Sequence, residues 1–442
     1  MTLTNPAVAA RLQRAVEREV ATRVQGSPFL HQQQPKANVP IVVVDRQQVV
    51  LGQRLGHGNF AEVVEVTIRQ PQQASSSSLC SPKGNTSSGT AGTSVLSAVR
   101  HHYQPQLQPP PHHHSPPPQK KTYALKRVLP TQEEQQNKYQ DHDRNWIKAA
   151  VDLAMEAKYL SCMDHPNIIT ARGLSSCGAT SFLLMDKLIE TLDKRILRWK
   201  KRGQDDLQEV SCCCCRRRRL QEIASYALQM ANAISYVHSF RIILRDVKTA
   251  NIGLLSSSTT SNCPEEEDDD RRIQLFDFGL CRELPFMAAH GSGPNASYRM
   301  SMVGTEGYMA PEIMTARCYG LNADVYSWAM VLYEMVTLEP PQEGRRPTFP
   351  DTTPKSLCHL IQKAGAHNVS ERCSIKEAAE QLQFLVDSDW NLKAQPEGVH
   401  EVSHHSSPCR RSSCRDQGAD YDEMSSPHRQ EQAMTKTTAT CA

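Results

Sequence analysis

Several things are scarce in this chain. No run of 18 or more apolar residues occurs in its 442 residues, so no transmembrane helix is expected. The first residues hold no apolar stretch of the kind a secretory signal needs, so export is not expected. Charge of one sign is missing too. Fifty Lys and Arg stand against 47 Asp and Glu, a formal net charge of +3, which gives no strong pull towards nucleic acid or a membrane surface. Cysteine, by contrast, is plentiful at 15 residues. Without a signal these read as reduced thiols of a cytoplasmic protein, or of a nuclear one.

Composition divides the chain. Residues 70–119 are rich in Ser, Pro, Gln and His, with Ser75 to Ser78 and His112 to His114 as tracts. Such a segment cannot bury enough apolar surface to order itself. It falls between two strand-like runs, where extra loop length costs little. The histidine tract reads as disordered rather than metal-binding. Cys212 to Cys215, followed by Arg216 to Arg219, lacks the ligand spacing of a zinc site. It reads as an unstructured insertion of about 203–219, ahead of a helix from Leu220 to His238. The alternative is acylation and membrane contact through Cys212 to Arg219. Glu265 to Asp270 is an acidic run in an insertion of about 256–271 and reads as solvated. Residues 386–442 read as a disordered tail and residues 1–40 as an N-terminal extension. Within that extension Val8 to Val24 is helix-like and carries Arg11, Arg14, Arg18 and Arg23. A mitochondrial presequence has such arginines, but Glu17 and Glu19 argue against one.

The motifs lie between these segments. Leu244-Arg245-Asp246-Val247-Lys248-Thr249-Ala250-Asn251 sets an acid, a lysine and an asparagine at short fixed offsets. The acid can accept a hydroxyl proton, the lysine can hold a phosphate, and the asparagine carbonyl can bind a metal. Gly56-His57-Gly58-Asn59-Phe60-Ala61-Glu62-Val63 joins two β-prone runs, where glycines let backbone N–H groups approach phosphates. By itself this is more often a plain turn. Thr122 to Val128 alternates like a strand and carries Lys126, a position that is usually solvated. Glu156 lies in Ala149 to Leu160, whose Leu153, Ala157 and Leu160 recur at helical spacing. Further on come Asp277-Phe278-Gly279 after a strand-like run, Gly304 to Glu312, and Asp324-Val325-Tyr326-Ser327-Trp328 opening a helix.

In this order and at this spacing, the motifs resemble those of the eukaryotic protein kinase family, from about Val49 to about Leu385. The fold that the resemblance implies is α+β and bilobal, within a domain at 41–385. A small lobe holds an antiparallel sheet and one helix, and a larger lobe is mainly helical. The implied cofactors are ATP and Mg²⁺, and the implied partner is a protein substrate with a Ser or Thr acceptor. Nucleic acid is not an expected partner.

Roles follow from the same resemblance. Asp246 would orient the acceptor hydroxyl and take its proton, and Lys248 would stabilise the transferring phosphate. Asn251 and Asp277 would hold the metal. Lys126, clamped by Glu156, would anchor the α- and β-phosphates. Leu55, Gly56, Gly58 and Ala61 would cover the nucleotide. Val63 and Ala124 would sit against adenine, and Met185, Asp186 and Leu188 would form the gatekeeper and hinge. Lysine at position 248 and the hydroxyl of Thr305 are the Ser/Thr form of the family. The text from Asp324 to Glu334 is most similar to its tyrosine-kinase-like branch. Asp324 would hold the catalytic-loop backbone, and Arg372 would pair with Glu312. Arg245 beside the acid implies control by activation-loop phosphorylation, with Ser301 as the expected site and Ser297 and Tyr298 as alternatives.

Four departures from the family pattern stand out. Ala61 replaces a glycine. Leu244 replaces a histidine and is expected to pack behind Phe278. Gly253 lies where a larger apolar residue floors the adenine site. The segment from Leu338 to Pro350 is too short for a helix that the family has there. These leave a second reading, a pseudokinase or scaffold that binds without transfer.

Overall fold

The computed structural model describes residues 6–33, 42–44, 46–57, 61–69, 121–129, 139–175, 182–205, 213–255, 271–285, 296–315, 318–345 and 347–388. The insertion at 70–119, most of that at 256–271, Gly58 and the tail beyond Ser388 lie outside the described residues. Two helices come first, α1 (Pro6–Gln25) and α2 (Pro28–Gln32). The small lobe follows with β1 (Val42–Val43), β2 (Val49–His57), β3 (Ala61–Ile68), β4 (Thr122–Val128), α3 (Tyr139–Cys162), β5 (Ala171–Leu174) and β6 (Phe182–Asp186). Its sheet runs β1-β5-β6-β4-β3-β2. Every pairing is antiparallel except that of β1 with β5.

The period-2 pattern of these strands explains why the sheet has two different faces. Val64, Leu125 and Leu184 are register partners and form a small core with Val66, Phe182 and Val44. The alternate partners Val63, Lys126 and Leu183 turn the other way. On that side Leu183, Met185 and Val128 join the main core with α3. The helix is longer than its sequence pattern suggests because Trp146, buried to 1% exposure, is one of its residues. The indole Nε1–H of Trp146 donates to Leu129 O at 2.9 Å, tying the helix to the end of β4.

The larger lobe contains β7 (Glu190–Thr191), α4 (Leu192–Asp205), α5 (Cys213–Ser239), β8 (Ile242–Ile243), β9 (Ile252–Leu255) and β10 (Arg272–Leu275). Then come β11 (Arg282–Glu283), β12 (Tyr298–Arg299), α6 (Pro311–Thr315), β13 (Cys318–Tyr319), α7 (Asn322–Thr337), α8 (Lys355–Ala364) and α9 (Ile375–Ser388). Helix α7 is the buried axis. Trp328 is fully enclosed and its Nε1–H donates to Ala227 O of α5 at 3.0 Å. Helix α5 corrects one expectation. It begins at Cys213, so Cys213 and Arg216 to Arg219 belong to a 27-residue helix rather than to an unstructured insertion. Arginine is a good helix former, and extending a helix already fixed by packing adds a hydrogen bond for each residue ordered.

The shortened segment closes without a helix. Leu338 caps α7 in the left-handed region at φ 59°. Among the described residues no helix lies between Thr337 and Lys355, and Phe349 packs edge-on against Tyr333 at 5.8 Å. The lobe is locked by Arg372, whose Nη1 and Nη2 donate to the two carboxylate oxygens of Glu312 at 2.7 and 2.8 Å. Further donations go to Ala366 O and Asn322 O, and the ring of Tyr326 lies under the guanidinium. Removing one partner of a buried ion pair strands the other charge. Arg372→Ala is expected to lower stability by about 3–5 kcal/mol in urea denaturation, with Arg372→Lys recovering only part because it lacks the planar fork. A loss of under about 1 kcal/mol, the size of an exposed pair, would contradict this.

Candidate active site

Two clusters of polar side chains meet between the lobes. The first is centred on Lys126. Its Nζ lies 2.6 Å from Glu156 Oε2 and 2.8 Å from Asp277 Oδ1. Glu156 is 1% exposed, and its other oxygen accepts from Phe278 N at 3.2 Å. One buried carboxylate therefore ties β4, α3 and the segment after β10 together. Burial works against the Lys126 ammonium, but the Glu156 and Asp277 carboxylates outweigh it, and the pKa is raised above its ordinary value. Burial also pushes Glu156 up, partly offset by Lys126. For Asp277, burial raises the carboxyl but the neighbouring Lys126 wins, with Lys248 adding to it, so the net direction is down.

The second cluster is the loop after β8. Asp246 Oδ1 accepts from Thr305 Oγ1 at 2.6 Å, and Asp246 Oδ2 lies 2.8 Å from Lys248 Nζ. Lys248 Nζ also donates to Thr305 Oγ1 at 2.8 Å. Asn251 Nδ2 donates to Asp246 O at 2.9 Å and to Asp246 Oδ2 at 3.1 Å. The loop is shaped from beneath by Asp324 in α7, which is 1% exposed. Its oxygens accept from Leu244 N at 2.8 Å and from Arg245 N at 2.9 Å. His238 Nε2 bonds it as well, at 2.8 Å. Arg245 and Asp277 sit at φ 72° and 66°, positions that cost energy for residues with a Cβ and persist only where the surroundings hold them. Here Asp324 and Lys126 are among the groups that hold them.

Cleft-wall residues lie on the strands. Gly56 is opposite Val63, which is opposite Lys126, and Ala61 is opposite Val128. Ala124 is opposite Met185, and both are buried. Asp186 is not free to meet a ligand through its carboxylate, which takes Arg172 Nε and Nη2 at 2.8 and 2.6 Å. Its backbone N–H is engaged as well, donating to Thr170 O at 3.4 Å. The missing side chain at Gly253 has a counterpart: a Cβ there would lie 2.2 Å from Leu188 Cδ1. Leu188 thus fills the space that a larger residue on β9 would take. Leu244 and Phe278 are both buried in the main core.

The residues expected to be regulatory, Arg245 and Ser301, are not joined. Arg245 Nε donates to Leu280 O at 2.6 Å, and its Nη1 is buried without a hydrogen-bond partner. Ser301 is exposed and uses its backbone oxygen for Tyr319 OH at 2.6 Å. Among the described residues no bond links the two. Several contacts had no sequence signal: His238 with Asp324, Arg172 with Asp186, and Tyr308, which bonds Glu334 and Thr249. The helix-like segment Val8 to Val24 lies within α1, where Val8, Leu12, Val16, Val20 and Val24, at intervals of four, pack on the main core.

The donor chemistry suits a hard cation. Asn251 makes both of its donations through nitrogen, leaving its carbonyl oxygen to coordinate. Asp277 keeps a side chain 41% exposed. Among the described residues no group of three or more His, Cys, Asp or Glu could hold a metal. Two protein oxygens completed by phosphates and water are what Mg²⁺ ordinarily takes.

Comparison with known proteins agrees with this geometry. A family model described as protein kinase domain matches residues 117–385. The chain is 27% identical over 295 residues to the serine/threonine-protein kinase VIK of Arabidopsis thaliana, covering 61% of this chain and 57% of that one. It is 27% identical to the dual specificity protein kinase shkE of Dictyostelium discoideum, covering 53% and 31%. It is 26% identical to a mitogen-activated protein kinase kinase kinase of Drosophila melanogaster, covering 59% and 21%. The chain therefore spans from about a fifth to under two thirds of these relatives' lengths.

The contact between Leu188 and Gly253 makes a test of the cleft floor. Gly253→Ala is expected to cost about 1–3 kcal/mol in chemical denaturation by overpacking. Leu188→Ala in the same chain should return most of that loss. Additive losses would show that the two residues do not share the space.

Proposed function

We propose that this chain, which belongs to the protein kinase family, transfers the γ-phosphate of ATP to serine and threonine hydroxyls of protein substrates. On the text of α7 we assign it to the tyrosine-kinase-like branch. The observation that carries the proposal is the bonded set of Asp246, Lys248 and Thr305, set beside the Lys126–Glu156–Asp277 cluster. Phosphoryl transfer asks a protein for positioning and charge neutralisation more than for covalent chemistry, and these side chains supply both.

In this mechanism Lys126, oriented by Glu156, binds the α- and β-phosphates. The backbone near Gly56 and Ala61 covers them, while Val63, Ala124 and Met185 enclose the adenine and exclude water. Asn251 and Asp277 would hold Mg²⁺, which would supply neutralisation of the phosphate charge. Asp246 accepts a hydrogen bond from the acceptor hydroxyl and takes its proton as the oxygen attacks the γ-phosphorus, while the bond from that phosphorus to the β–γ bridging oxygen breaks and ADP leaves. Lys248 faces the charge on the transferring oxygens. Thr305 fixes the acid and the lysine relative to each other and to the segment from Gly304 to Glu312.

The test is ATP- and Mg²⁺-dependent labelling of a generic Ser/Thr substrate by the purified chain, followed by phosphoamino-acid analysis. Asp246→Asn should abolish transfer and leave nucleotide affinity within about threefold, because Asp246 acts on the acceptor and not on ATP. Nucleotide binding without transfer by the parent chain would favour a scaffold instead. Label on tyrosine would overturn the assigned acceptor. A second expectation concerns Ser301. A phosphate there would bring the charge that Arg245 can pair with, so Ser301→Ala should lower turnover several-fold with ATP binding intact. Equal turnover of variant and parent would remove Ser301 from the account.

A further inference from the structure

The N-terminal helices are packed onto α3 and onto the segment after Asp277. The stripe of α1 lies against α3, with Leu12 at 1% exposure. Two ion pairs join the helices, Arg11 Nη2 with Asp143 at 2.7 Å and Arg23 Nη1 with Asp152 at 3.2 Å. Asp152 stands one turn before Glu156 on the same helix. It also stands near the segment after Asp277: a Cβ built on Gly279 would lie 3.7 Å from Asp152 Cβ.

Helix α2 reaches that segment directly. Ser27 Oγ donates to Glu283 Oε2 at 2.6 Å, and Phe29 N donates to Glu283 Oε1 at 2.8 Å. Ser27 also caps α2 by accepting from Leu30 N. Glu283 belongs to β11, which pairs with β8 immediately before the catalytic loop. The ring of Phe29 is buried against Tyr159 of α3 at 5.9 Å and Phe240 at the end of α5 at 4.9 Å. One short stretch therefore touches the small lobe, the larger lobe and the segment that carries Asp277.

We propose that residues 6–33 act as a built-in clamp, in which Arg23, Ser27 and Phe29 are positioning residues that hold α3 and the segment after Asp277 where Lys126 meets Glu156. The proposal deepens the phosphoryl-transfer reading and rests on it. The physical reason is leverage. Lys126 reaches Glu156 only while α3 is held against the sheet, and a helix with one unpartnered face can rotate or shift at low cost. Covering the outer face of α3 and pinning Glu283 removes that freedom. A structural role alone would lower stability. A positioning role lowers kcat and loosens α3 while the fold stands.

The experiment uses the full chain. Arg23→Asp places like charges opposite Asp152, and Phe29→Ala empties the pocket between the lobes. Amide hydrogen exchange is followed in residues 139–162 and 277–284, together with kcat and KM for a peptide substrate. Arg23→Asp is expected to speed exchange in both stretches at least fivefold and to lower kcat about tenfold, with peptide KM within twofold. Combining it with Asp152→Arg should restore both readouts to within about twofold of the parent. Phe29→Ala should act in the same direction. If that variant does not fold, the partly exposed Arg23 pair still decides. Parent-like exchange in Arg23→Asp, or faster exchange with unchanged kcat, overturns the clamp. If the parent shows no transfer, the function reading fails separately. Exchange, and its rescue by the swapped pair, then decide whether the N-terminal helices hold α3.

Discussion

A carboxylate that is 1% exposed can stay in place only if its surroundings compensate for lost water. Glu156 has that compensation from Lys126 Nζ at 2.6 Å and Phe278 N at 3.2 Å. The geometry of the whole cleft follows from this pair. Lys126 is on β4, so the pair fixes α3 against the sheet. Phe278 follows Asp277, so the same carboxylate fixes the residue proposed to hold metal. Loss of the Lys126 contact leaves the Glu156 charge buried without its counter-ion, which is why the arrangement is tight.

The larger lobe has an equivalent constraint in Asp324. Two backbone N–H groups and one imidazole converge on it, and the left-handed turn at Arg245 is stable because they do. The loop from Leu244 to Asn251 thus takes its shape from the centre of the helical core, while its side chains are linked to the segment from Gly304 onwards through Thr305. The site is built where the buried helix α7, a loop with left-handed backbone and helix α3 face one another. The trimmed segment after Leu338 leaves this intact, since Arg372 and Glu312 still join the end of the domain to α6.

Much of this was legible in the sequence because the family's motifs constrain residue type at fixed spacing. Lys126, Glu156, Asp246, Asn251 and Asp277 each belong to a short motif, and the motifs come in order. The strands were legible through alternation, and α7 through Val325, Trp328, Leu332 and Met335 on one face. What was not legible depended on contacts across long sequence separations. His238 reaches Asp324 from 86 residues away, and Glu283 meets Phe29 across 254. No local pattern announces such a meeting. The start of α5 was misplaced for a different reason. A basic run reads as solvated, yet it can still be helical when the residues after it are packed.

The central claim is that Lys126 and Glu156 act as one unit in setting the nucleotide site. A double-mutant cycle tests it most directly, with kcat/KM for ATP measured in the parent, Lys126→Met, Glu156→Gln and the double variant. If the account holds, each single change costs nearly the full effect and the double change costs little more than either one. Additive losses would mean that the two side chains act independently, and would contradict it.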